Sequence, residues 1–125
     1  MMDPGERMAR ILLAEDDDAM RQFLTTALER AGHEVVSCPD GRQALAALNG
    51  DYDLLIADIV MPGLDGVELA RRARSAVPNL RIMFITGFAA VILDGGRPPM
   101  PNASVLSKPF HLRDLVKHVD RVLAN

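Results

Sequence analysis

The sequence holds one cysteine, Cys38, so no intrachain disulfide can form. Three scattered histidines beside that lone thiol leave no zinc-ligand spacing. No apolar run is long enough to cross a bilayer. The longest, residues 82–93, is 12 residues and is broken by Thr86 and Gly87, where a spanning helix needs roughly 18 or more. The N-terminus has no apolar signal region. Basic charge is also short: 14 Lys and Arg against 17 Asp and Glu give a net charge of −3. That is too little for a stand-alone nucleic-acid binder and too mild for an acidic disordered tail. These absences predict a soluble, cytoplasmic protein with neither nucleic acid nor membrane as partner.

What remains is an ordinary globular composition, 49% apolar and 25% charged over 125 residues, enough for one domain with a real core. Residues 1–7 read as a frayed tail and 8–125 as the domain. Runs 11–14, 54–57 and 82–85 are apolar without alternation, which fits strands covered on both faces by helices. Glu34 to Ser37 and Val105-Leu106 are weaker strand candidates. Between them the period becomes helical. Met20, Phe23, Leu24, Ala27 and Leu28 share one face, closed by Gly32. Ala44, Leu45 and Leu48 form a second stripe. Leu69, Ala70, Ala73 and Val77 form a third, with Asp65 and Glu68 at capping-box spacing before it. Leu112, Leu115, Val116, Val119 and Val122 form the last. The alternation predicts an α/β fold, a doubly wound, five-stranded parallel sheet. Its fourth helix, after Gly87, is short or irregular, because Gly95, Gly96, Pro98, Pro99 and Pro101 cannot continue one.

In such sheets ligands bind beyond the carboxyl ends of the strands. The polar residues that follow the apolar runs are Glu15, Asp16, Asp17 and Asp18, then Asp58, then Thr86, then Ser107 and Lys108. Clustered acids repel one another, and burial raises the cost of ionising them; a hard divalent cation removes that cost. Magnesium favours oxygen ligands and keeps phosphate oxygens in its shell. The pattern points to a Mg²⁺ pocket with room for a phosphoryl group, Thr86 and Lys108 beside it, and a carboxylate able to attack phosphorus.

The Glu15-Asp16 pair, Asp58 with Met61-Pro62 and Asp65-Gly66, Thr86-Gly87 and Lys108-Pro109-Phe110 together resemble the receiver domain of two-component response regulators, over nearly the whole chain. The resemblance implies a flavodoxin-like receiver fold with Asp58 as phosphoacceptor. It implies Mg²⁺ held by Glu15, Asp16, Asp58 and the Val60 backbone carbonyl. Thr86, Gly87 and Lys108 would engage the phosphoryl group, and the bond to Pro109 would be cis. It implies a histidine kinase or histidine phosphotransferase as donor. The chain would be no turnover enzyme, at most phosphorylating itself from small donors and slowly losing the phosphoryl group. The stretches 84–90 and 106–115 further resemble the CpdR-type single-domain regulators. That resemblance implies control of ClpXP-dependent proteolysis, with ClpX as a partner.

Several residues have plainer readings. Asp18 and Asp65 read as helix caps, Gly66 as a turn residue, Phe110 as core and Cys38 as a half-buried thiol. Val105 stands where many receivers carry an aromatic residue that relays the signal by changing rotamer, and a valine cannot do so. The loop after Thr86, with Phe88, Val91, Ile92 and Leu93, is then the candidate output surface together with Val105. Two alternatives stay open: a haloacid-dehalogenase-like phosphatase, which needs an acid where Val60 stands, and a receiver fold used only for binding, without phosphorylation.

Overall fold

The three apolar runs form three neighbouring strands. In the computed structural model, which describes residues 8–87 and 98–124, these are β1 (Arg10–Ala14), β3 (Leu54–Asp58) and β4 (Arg81–Thr86). They are flanked by β2 (Glu34–Cys38) and β5 (Ala103–Ser107). The sheet order is β2-β1-β3-β4-β5, and every pair is parallel. The chain reverses its direction of travel across the sheet between β1 and β3, which opens a crevice at their carboxyl ends. The predicted fold is the one observed. Each strand runs slightly beyond its apolar run, so Asp58 and Thr86 are the last residues of β3 and β4 rather than loop residues.

Alternation along the strands divides the core in two. Leu12, Leu55, Ala57, Ile82 and Phe84 pack with Ala44 of helix α2 (Gly41–Ala47) and Leu69, Ala70 and Ala73 of α3 (Gly66–Ala76). Ile11, Leu13, Leu54, Ile56, Met83 and Ile85 pack with Leu24, Ala27 and Leu28 of α1 (Asp18–Arg30). Leu115, Val119 and Leu123 of α4 (Leu112–Ala124) complete that second layer. Both sheet faces are therefore covered, which is why the central strands carry no polar face.

The starts of α1, α2 and α3 are set by aspartates. Asp17, Asp40 and Asp65 each accept a hydrogen bond from the backbone N–H three residues on, at 2.8, 2.8 and 2.9 Å. Asp17, not Asp18, caps α1; Asp18 lies in the first turn, where its charge favours the helix dipole and meets Arg21. Two apolar residues leave the expected buried faces. Phe23 is 46% exposed and Leu112 is 40% exposed, and they share a groove between α1 and the start of α4. Each sits at the rim of its stripe, where the neighbouring helix no longer covers it. Cys38 is buried rather than half-buried. The expected short helix after Gly87 falls outside the described residues.

Candidate phosphoryl-acceptor site

Parallel pairing brings the ends of β1, β3, β4 and β5 to one rim. Asp58 pairs with Ile85, and Thr86 with Ser107, so the acid, the threonine and the residues before Lys108 end at similar height. One carboxylate oxygen from each of Glu15, Asp16 and Asp58 lies within 4.8 Å of the others. Glu15 and Asp58 are buried and Asp16 is exposed, so the group is open on one side.

Lys108 joins the two buried acids. Its Nζ donates to Asp58 Oδ2 at 3.0 Å and to Glu15 Oε1 at 3.2 Å. Its backbone N–H donates to the Thr86 carbonyl at 2.8 Å, tying the lysine to the end of β4. The Lys108–Pro109 peptide bond is cis. The second oxygen of Asp58, Oδ1, accepts from the Val60 N–H at 3.1 Å, and the Val60 side chain stands 51% exposed beside the site.

One ammonium does not balance this many acids. Burial pushes Glu15 from its ordinary 4.5 up to about 7, and the Asp58 charge adds to the rise, while the Asp17 N–H and Lys108 hold it down. For Lys108 burial works to lower the pKa, but the hydrogen bond to Asp58 and the two carboxylate charges outweigh it and the ammonium is held above its usual range. The cluster is thus an excess of negative charge on oxygen donors alone, the chemistry a hard divalent cation suits.

Thr86 is fully buried at the end of β4, and Gly87, next to it, is exposed with open space where a Cβ would stand. Val105 is half-buried and packs toward the α2–α3 layer. Phe110 is likewise half-buried, against the α1–α4 layer. Phe88, Val91, Ile92 and Leu93 lie outside the described residues.

Two residues at the site go beyond the sequence reading. Gly66 is more than a turn residue: a Cβ there would stand 2.1 Å from the Asp58 carbonyl oxygen. Its signal was the Asp65-Gly66 pair, which looks the same for a plain turn. Arg21, on α1, donates from Nη1 to the Glu15 carbonyl at 2.9 Å. An arginine one turn into a helix gives no such signal in sequence.

The chain matches the family model of the response regulator receiver domain over residues 11–120. It is 55% identical over 117 residues to the response regulator receiver protein CpdR of Brucella abortus (strain 2308), covering 93% of this chain and 98% of that protein. It is 33% identical over 118 residues to the sensor kinase CckA of the same organism, where the match spans 12% of the kinase. The chemotaxis protein CheY4 of Vibrio cholerae superposes with a TM-score of 0.82 at 31% identity, over 93% of this chain and 99% of that one. Among the described residues no helix is long and apolar enough to cross a membrane. With Val60 where a phosphatase of the alternative class needs a second acid, the site and the comparisons agree, and the chain belongs to the response regulator receiver family.

Proposed function

We propose that residues 8–125 act as a phosphorylation switch in which Asp58 takes a phosphoryl group from a phosphohistidine donor. The observation that carries this reading is the Lys108 bridge between Asp58 and Glu15, with Asp16 alongside. It puts a nucleophilic carboxylate, a cation and metal-ligand oxygens at one opening.

Glu15, Asp16, Asp58 and the Val60 carbonyl are the groups that would hold Mg²⁺. When bound, the ion neutralises the carboxylates and the incoming phosphoryl oxygens. A carboxylate oxygen of Asp58 attacks phosphorus in line, an O–P bond forms, the N–P bond of the donor breaks, and the imidazole leaves with the electron pair of that bond. The acyl phosphate carries a charge near −2 at neutral pH where the carboxylate carried −1. Lys108 then exchanges a carboxylate partner for a phosphoryl oxygen, and Thr86 donates its hydroxyl to another. Because the Lys108 N–H is held by the Thr86 carbonyl, the two respond together and pass the change to the segment after Gly87 and to β5.

The donor is a histidine kinase or histidine phosphotransferase, in keeping with the receiver family of the chain. Small phosphodonors also serve, and the aspartyl phosphate decays slowly by hydrolysis. The output is binding to a separate protein in the cytoplasm. The likeness to CpdR supports control of ClpXP-dependent proteolysis through ClpX as that output. The test is a pull-down with immobilised ClpX, comparing the wild type, the phosphorylated wild type and Asp58→Ala. Capture that phosphorylation changes in the wild type but not in Asp58→Ala supports the reading. Equal capture of all three removes phosphate control, and no capture removes ClpX.

A further inference from the structure

The acids of the site differ in how they are fixed. Glu15 is held at several atoms. Its N–H donates to the Cys38 carbonyl at 3.1 Å, its Oε2 accepts from the Asp17 N–H at 3.1 Å, and its Oε1 accepts from Lys108. Asp16 is exposed, and its carboxylate reaches the others only if the peptide that carries it keeps its orientation. That peptide is the Glu15–Asp16 bond, whose carbonyl oxygen is the one Arg21 grips from Nη1 at 2.9 Å. The same guanidinium is braced from its other nitrogen by Asp18 Oδ1, and its side chain is only 20% exposed. The planar fork therefore ties the strand-to-helix turn to α1 through the Glu15 carbonyl, while Asp18, itself in the first turn of α1, steadies the guanidinium.

We propose that Arg21 is a positioning residue of the metal site, holding the Glu15–Asp16 peptide so that both carboxylates stay turned toward Asp58. This rests on the reading of the acidic cluster as a Mg²⁺ site. Arg21 would touch neither metal nor phosphoryl group. Without it the part-buried carbonyl is free to rotate, Asp16 leaves the cluster for part of the time, and the ion meets two acids instead of three. Groups that orient metal ligands typically cost about 10–100-fold in affinity when removed. A mere counter-charge role makes the opposite forecast: removing a cation beside an acidic site would tighten metal binding.

The test measures Mg²⁺ affinity of the full chain by calorimetry, together with the phosphorylation rate from a small phosphodonor across Mg²⁺ concentrations. Arg21→Met keeps the aliphatic stem and loses the fork. It is expected to weaken Mg²⁺ binding about tenfold or more, while the rate at saturating Mg²⁺ stays near that of the wild type. Unchanged or tighter binding overturns the proposal, as does a lowered saturating rate with unchanged affinity. Arg21→Lys keeps the charge and, should the methionine variant not fold, decides by itself. An ammonium cannot span both oxygens as the planar fork does, so a severalfold weakening is expected, and wild-type affinity overturns the proposal. If the wild type binds no Mg²⁺ at all, the metal-site reading falls and takes this inference with it; if the wild type binds and both variants match it, this inference alone falls.

Discussion

Gly66 stands directly behind Asp58: a Cβ on it would lie 2.1 Å from the Asp58 carbonyl oxygen and 2.9 Å from Ile59 Cα. The clash is with backbone, so no side chain can swing away to relieve it. Its N–H also donates to the Ile59 carbonyl at 3.0 Å, which seats the start of α3 against the end of β3. Gly66→Ala is expected to displace Asp58 and to lower stability by at least about 1–3 kcal/mol, the usual cost of overpacking. Denaturant melts of the two proteins check this, and equal midpoints would show that the backbone gives way freely.

Val60 is half out in solvent and its N–H is bonded to Asp58 Oδ1. An apolar side chain there is expected to screen a phosphorylated Asp58 from attacking water. Val60→Asn supplies a polar group that can hold a water near the phosphorus, and is expected to shorten the aspartyl-phosphate lifetime severalfold. The decay of phosphorylated protein after donor removal measures it directly; an unchanged half-life would deny Val60 any part in screening.

Two buried groups give folding stability opposite pH trends. His33 is buried, its Nδ1 accepts from the Ala9 N–H at 3.1 Å, and burial lowers its pKa, opposed in part by Asp120. Below the ordinary 6.5 the unfolded chain takes up the proton first, so this contribution is present above that value and lost as pH falls through the lowered one. Glu15 runs the other way. Its pKa is raised to about 7, so its share is fullest below 4.5 and is lost as pH rises through about 7. His33→Leu is expected to cost about 1–3 kcal/mol through the unpaired Ala9 N–H and to flatten the acid-side loss. Glu15→Gln is expected to remove the decline toward neutral pH. Thermal melts across this range, without added metal, would contradict the assignment if either variant kept the slope of the wild type.

Asp17 caps α1 while its neighbours Glu15 and Asp16 serve the acidic cluster. Asp17→Ala is expected to cost about 1 kcal/mol from the lost cap alone, and more because the turn that orders Glu15 is loosened. A cost well under that, read from denaturant midpoints, would mean that water replaces the cap at no loss.

The sequence made the central strands plain because β1, β3 and β4 are covered on both faces and show unbroken apolar runs. The edge strands β2 and β5 gave weaker signals for the matching reason, since one side of each meets solvent and all their residues but Cys38 are partly or fully exposed. The gathering of Glu15, Asp16, Asp58 and Lys108 was legible because strand order and parallel pairing alone bring four strand ends to one rim. What was not legible depends on coordinates. A run of three aspartates does not say which one caps, and so Asp18 was expected where Asp17 serves. A helical stripe does not say where its neighbour stops, and so Phe23 was expected inside. A glycine after an aspartate reads as a turn whether or not a strand carbonyl sits against it, and so the close approach of Gly66 stayed hidden.

The account turns on Asp58 accepting phosphorus. Intact-mass measurement after incubation with a small phosphodonor and Mg²⁺ tests this most directly. The expected result is a gain of one phosphoryl group by the wild type, lost on chelation of the metal and absent in Asp58→Asn. No gain by the wild type, or an equal gain by Asp58→Asn, would contradict it.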